Sequence, residues 1–251
     1  MKKLLLYFLF CFLLLISSKI VAQENNLLLA KQELENLVFI ADSTKIENIQ
    51  NEKFQNISEI SKFSKIVSRD IDFGLKKLVY NFTFSYRNNH SFNYNYPEVH
   101  LYYFNENPVG IIINYKGKSS EHKYKFHSEF QIFLNSHNSF YNSKKDLKGF
   151  IDDTLNKTIY GNYCGYEMKA LKKVNDIKLY SIENVEKYAK WMKSFNLELQ
   201  MWGYDQLDYL MKEKSIEFEN DEEKIFNYIR KRNSILETCS GCEFGLYKRI
   251  W

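Results

Sequence analysis

The chain has 251 residues, with 35 lysines and arginines against 31 aspartates and glutamates, four cysteines, two prolines and an aromatic share of 17%. Its formal charge of +4 falls to +1 once Lys2, Lys3 and Lys19 leave with an N-terminal segment that holds no acid. A near-neutral chain with interspersed signs excludes an electrostatic argument for nucleic acid or an anionic membrane surface, and its length suits one large domain or two small ones.

The N-terminal segment spans residues 1–22. Met1-Lys2-Lys3 is a basic start, Leu4 to Ile16 is an unbroken apolar run that includes Cys11, and Ser17-Ser18-Lys19 leads into Ile20-Val21-Ala22. The run has 13 residues, short of the roughly 18–20 that a helix needs to cross a bilayer. A lipoprotein signal needs a small residue before its cysteine, and Phe10 stands there. The pattern predicts a signal peptide cleaved before Gln23, with an uncleaved anchor as the alternative. The mature protein is then periplasmic or secreted, with no transmembrane segment. Loss of Cys11 leaves three cysteines, an odd number for an oxidising compartment.

Residues 24–73 read as helix. Leu27, Ala30, Leu34, Leu37, Val38 and Ala41 fall on one face, and after Asp42-Ser43-Thr44 a looser series from Ile46 to Val67 continues at three- and four-residue spacing. Both pieces are expected to cover a sheet. That sheet begins near Leu75. From Tyr80 to Tyr86 the even positions are aromatic, while Asn81, Thr83 and Ser85 take the odd ones, the pattern of a strand with one wetter face. Val99 to Phe104, Val109 to Tyr115 and Tyr124 to Leu134 read as three further strands. The turn signals Arg87-Asn88-Asn89-His90, Asn105-Glu106-Asn107-Pro108 and Lys116–Ser120 separate them, which predicts an antiparallel meander.

The five histidines, His90, His100, His122, His127 and His137, lie in or beside this sheet. None forms a tight pair with an acid at ligand spacing, so they are read as surface strand histidines rather than a metal site. The Asn/Ser-rich stretch from Asn135 to Lys144 reads as a boundary. Beyond it, Lys144 to Leu155 reads as a short helix. Ser181 caps a helix with Val185, Tyr188, Ala189, Met192 and Phe195 on one stripe. Asn196 caps the next, with Leu199, Gly203, Leu207, Leu210 and Met211 inward. A third opens at Asn220 and carries Ile225, Phe226, Ile229, Ile235 and Leu236.

The run Val185-x-x-Tyr188-Ala189-x-Trp191-Met192, continued by Asn196-x-Glu198-x-Gln200-x-x-Gly203-x-x-x-Leu207, resembles one HEAT-type helical hairpin. That resemblance implies that Gly203 marks a close approach of the two helices. A Tyr-Cys-Gly turn, a Trp-Met-Lys-Ser helix, a Gln-containing hairpin and a terminal Cys-Ser-Gly-Cys together resemble an uncharacterised group of secreted Bacteroidetes proteins, which implies export and no particular activity. Tyr160-Gly161-Asn162-Tyr163-Cys164-Gly165 is similar to the calcium loop of secreted phospholipases A2. The further glycines of that loop are replaced by Tyr166-Glu167-Met168, and no histidine follows His137 to serve as base. That hydrolase is rejected.

Cys164, Cys239 and Cys242 are the candidate site residues. A redox Cys239-x-x-Cys242 pair needs its first thiol at a helix N-terminus, whereas here it follows a run read as helix. A zinc site lacks an obvious fourth ligand. A structural disulfide from Cys164 to Cys239 or Cys242 closes a loop of about 75 residues, worth about 4.5 kcal/mol in the chain-entropy model, against about 2 for the local Cys239–Cys242 loop.

These readings predict an α+β protein. N-terminal helices cover an antiparallel β-meander in residues 23–142, and residues 143–251 form a small helical domain with a cysteine-linked tail. No catalytic residue, metal ligand or cofactor is assigned, because no nucleophile–base pair, phosphate loop or paired-carboxylate motif is found. The expected function is non-enzymatic binding of a protein or cell-envelope component, and a thiol- or zinc-dependent enzyme using the three cysteines is the alternative.

Overall fold

The computed structural model of the protein describes residues 25–39, 46, 49, 53–86, 93–115, 121–156, 158–161, 179–218, 220–240 and 243–250. Residues 1–22, read above as a signal peptide, and Cys164 and Cys242 lie outside the described residues. The fold is α+β: an N-terminal helix, an antiparallel sheet, then several helices. No described helix is long and apolar enough to cross a membrane.

Helix α1 (residues 25–39) buries Ala30, Leu34 and Val38, which recur every fourth residue on one stripe. Strands β1 (Ile57–Asp70), β2 (Leu75–Tyr86), β4 (Pro97–Phe104), β5 (Asn107–Tyr115) and β6 (Glu121–Phe126) lie in that order across the sheet. The short β3 (Asn93–Asn95) pairs with the end of β2, with Phe84 opposite Asn95. The alternation along β2 holds in part: Tyr80, Phe82, Phe84 and Tyr86 are buried and Asn81 and Thr83 half-buried, but Ser85, expected on the wetter face, is buried as well.

Two expectations about this region are corrected. Ile57–Asp70 is strand rather than helix. Its apolar residues are spaced like a helix, but Phe63 stacks on Tyr80 at 5.1 Å, and the strand lies at an edge with much of its length exposed, so strict alternation is lost. The turn after it, Asp72-Phe73-Gly74, has positive φ at Phe73 and Gly74 and closes with Leu75 N donating to the Asp72 carbonyl. The expected strand Tyr124–Leu134 ends at Phe126, and α2 (Phe130–Tyr141) begins four residues later. The Asn/Ser-rich stretch read as a boundary is therefore helical as far as Tyr141, and His137 within it is fully buried.

The chain divides into two compact units. The first takes residues 1–66, Val79–Leu101 and Ile111–Lys125. In it Lys31 of α1 pairs with Glu121 at 2.5 Å, and the Tyr115 hydroxyl donates to Glu35 at 3.3 Å, fixing helix to sheet.

The second unit takes Val67–Leu78, Tyr102–Gly110 and Phe126–Trp251. It holds α2, α3 (Leu147–Leu155), a single 3-10 turn (Ile182–Asn184), α4 (Val185–Met192), α5 (Leu197–Lys214) and α6 (Asn220–Arg232). Helix α3 is capped by Asp146, which accepts from the Gly149 N–H at 2.8 Å, and α5 by Asn196, which accepts from Leu199 at 2.8 Å. The first turns of α5, from Leu197 to Tyr204, are buried on every side. They pack on α4 through Gly203, where a Cβ would stand 2.6 Å from the Tyr188 carbonyl oxygen. The third expected helix stops at Arg232; Ile235 and Leu236 belong instead to a hairpin of β7 (Ile235–Ser240) and β8 (Glu243–Arg249).

Candidate functional site

Cys239 lies in β7, 9% exposed and against Ile159. Tyr160 bridges to Thr238 in parallel, with its N–H donating to the Glu237 carbonyl at 2.9 Å, which lays residues 158–161 along β7. The approach is close: a Cβ on Gly161 would come within 3.1 Å of the Cys239 Sγ. The Cys239 sulfur is not a free thiol. Among the described residues no group of three or more His, Cys, Asp or Glu side chains gathers as a metal site. Of the five histidines, His100 and His137 are buried rather than surface residues. Burial, with Lys145 nearby, pushes His137 down to about 3, so its imidazole is neutral.

The residues with the strongest electrostatics were not singled out from the sequence. Arg69 near the end of β1 reaches Glu198 in the first turn of α5 with both Nη atoms, the second at 3.3 Å, and its Nη1 also donates to the Ile235 carbonyl at 3.1 Å. Glu198 in turn accepts from the Glu237 N–H at 2.7 Å. Burial opposes charge on both partners, yet their attraction outweighs it. Arg69 is held above its usual value and Glu198 below the usual carboxylate range.

A second pair lies alongside. Arg232, the last residue of α6, reaches Asp72 in the β1–β2 turn at 2.5 Å and the Gln200 side-chain oxygen at 2.6 Å, and its Nε donates to the Ser234 hydroxyl at 2.6 Å. Tyr141 and Tyr228 donate to the two oxygens of Asp72 at 3.0 and 2.9 Å. Burial and the facing carboxylate raise the pKa of Tyr228 to about 12.

These two arginines form part of the wall of a cavity of about 300 Å³. Its lining, all within the second unit, comprises Ser68, Arg69, Asp70, Lys76, Arg232, Asn233, Ser234, Ile235 and Arg249. Asn233 turns the chain from α6 into β7 with φ at 48°, and its carbonyl accepts from Arg249 at 2.8 Å. Two buried atoms in this lining have no hydrogen-bond partner, the Arg69 Nε and the Asn233 Oδ1. Four cationic side chains thus border the space against one acid, Asp70, while Glu198 and Asp72 pair with the arginines without lining it.

The sequence signal for this site is faint but present. Glu198 and Gln200 stand among apolar residues in the part of α5 that is buried all round, and a charged residue in such a place needs a partner. Arg69 and Arg232 look like ordinary surface charges at the ends of their elements. Three comparisons with known proteins add nothing: no family model, no curated protein and no solved structure matches the chain.

Proposed function

We propose that the protein is an exported, non-enzymatic binding module whose partner is a protein or a cell-envelope component, with the cavity bordered by Arg69, Lys76, Arg232 and Arg249 as its recognition site. One observation carries this reading: two arginines fixed by Glu198 and Asp72 contribute to the cationic lining of a half-open cavity. Prefixed cations lose little freedom on binding, so they favour recognition of a negatively charged group. The basic start, apolar run and small-residue end of residues 1–22 support export.

The test is capture from a native envelope fraction by mature protein carrying an affinity tag, compared with a Lys76→Glu/Arg249→Glu variant. Lys76 is half-buried and Arg249 exposed, so the reversal changes the mouth of the cavity while leaving the buried pairs intact. A component retained by the native protein and lost by the variant is the expected result. Equal capture by both overturns the cavity as recognition site, and no capture by either overturns the binding reading.

A further inference from the structure

We propose that the outer edge of β1 is a dimer seam, at which residues 60–66 pair antiparallel with the same strand of a second copy of this chain, centred on Phe63. The seam is independent of the cavity: residues 60–66 belong to the first unit and the cavity lining to the second.

The two edges of the sheet differ. Among the described residues β1 pairs on one side only, with β2, and β6 on one side only, with β5. A sheet edge presents main-chain donors and acceptors to any strand that comes alongside, and proteins blunt it by keeping the edge strand short and charged. Strand β6 is both, with six residues and with Lys123 and Lys125 exposed. Strand β1 runs for 14 residues. It carries three half-buried apolar side chains, Ile60 and Ile66 on one face and Phe63 on the other.

A two-fold seam pairs the strand with itself, so the residue that meets its own copy sets the register. The middle of β1 falls between Phe63 and Ser64, and the registers centred near it pair the most residues. Centring on Lys62 or Lys65 sets lysine directly opposite lysine, which repels. Centring on Ser64 sets Lys62 opposite Ile66 and Lys65 opposite Phe63. Centring on Phe63 sets Phe63 against Phe63, Ile60 against Ile66, Lys62 against Ser64 and Lys65 against Ser61. Glu59 then lies diagonally from Lys65 of the second copy, within reach of a long side chain. Of these four registers, only this one matches apolar with apolar and sets no like charges opposite. Residues 60–66 paired in this way supply about seven main-chain hydrogen bonds, within the roughly ten ± five of a typical protein interface.

Sedimentation velocity of purified mature protein across about 1–100 μM, which spans a micromolar Kd, tests the seam. A reversible dimer is expected. Position 64 gives the test its sign. Ser64 stands opposite Lys62 of the second copy, twice per dimer. Ser64→Lys is therefore expected to weaken the dimer and Ser64→Glu to tighten it, each by at least about threefold in Kd. Circular dichroism checks that each variant is folded. Should a position-64 variant fail to fold, Ser61→Lys and Ser61→Glu, opposite Lys65, are expected to give the same two opposite shifts.

A monomer at every concentration overturns the proposal and leaves this edge to the strand of a different partner. A dimer whose Kd neither substitution moves places the interface elsewhere and overturns it too. A dimer weakened by both substitutions is the signature of a seam centred on Ser64, and it overturns the register and the apolar matching on which the proposal stands.

Discussion

Arg69 on β1 and Glu198 on α5 are 129 positions apart in the chain and meet as a two-pronged ion pair, with side chains 9% and 2% exposed. At that burial the desolvation of each ion offsets most of the attraction, so the pair is worth little against an apolar replacement and much against a broken half. Glu198→Ala is expected to cost about 3–5 kcal/mol, because it strands a buried guanidinium. The double variant Arg69→Met/Glu198→Leu is expected to recover a substantial part of the loss. Urea denaturation of the three proteins measures both; a Glu198→Ala cost below about 1 kcal/mol, the size of an exposed pair, rules out the burial argument.

Gly203 makes a second, purely steric prediction. A Cβ there would stand 2.6 Å from the Tyr188 carbonyl oxygen and 2.9 Å from the Met192 nitrogen, both backbone atoms of α4 that cannot swing aside. Helix propensity alone favours alanine over glycine by about 1 kcal/mol, so the sign of the change tells which effect wins. Gly203→Ala is expected to destabilise by about 1–3 kcal/mol through overpacking. A rise in melting temperature contradicts the close approach.

Where local pattern and tertiary role agree, the fold was legible in the sequence. The four-residue stripe of α1, the aromatic positions of β2 up to Phe84 and the Asn196 cap follow from spacing, and the tight fit at Gly203 is where the likeness to a helical hairpin implied it. Legibility failed at β1, where Ile57, Ile60, Phe63 and Val67 fit a helical period as well as a strand, and one edge neighbour leaves the strand too exposed to alternate. It failed again at Ile235–Ser240, where Ile235 and Leu236 continue the helical spacing of Ile225 and Ile229 although the helix ends at Arg232 and a β-hairpin begins. The cavity was invisible for a different reason. Arg69, Asp72, Glu198 and Arg232 come from separate elements, and nothing local to any one of them says which charge it will meet.

Asp205 gives a pH dependence of unusual sign. It lies on α5 and accepts a hydrogen bond from the Tyr160 hydroxyl, and burial raises its carboxyl to about 6. A carboxyl whose folded pKa exceeds its unfolded value stabilises the fold while protonated. This contribution is complete below the unfolded value of about 3.9 and disappears as the pH rises through about 6. Glu198, held below its usual value, acts in the opposite sense and favours the fold above the unfolded carboxyl value. Asp205→Asn is expected to raise stability at pH 7 relative to the native protein and to narrow the difference towards pH 4. Parallel melting curves across pH 4–7 for the two proteins exclude the raised value.

The cysteines supply the last prediction. Cys239 is buried in β7, its sulfur is not a free thiol, and the Gly161 backbone is pressed against it three residues before Cys164 in the sequence. The placement of residues 158–161 along β7 brings the chain three residues before Cys164 against Cys239, and Cys242 follows Cys239 by three positions in the sequence. The expected state is therefore a Cys164–Cys239 disulfide with Cys242 as the remaining thiol, closing a loop of about 75 residues worth about 4.5 kcal/mol in the chain-entropy model. Cys164→Ser is expected to lower stability by a few kcal/mol and to release Cys239 for exchange with Cys242. Cys242→Ser should cost little and leave the long crosslink in place. Peptide mapping of alkylated, non-reduced protein reads the connectivity directly. A Cys239–Cys242 bond with Cys164 alkylated points to local redox chemistry, and three alkylated thiols with stoichiometric zinc point to a metal site; either result removes the structural role assigned to Cys164.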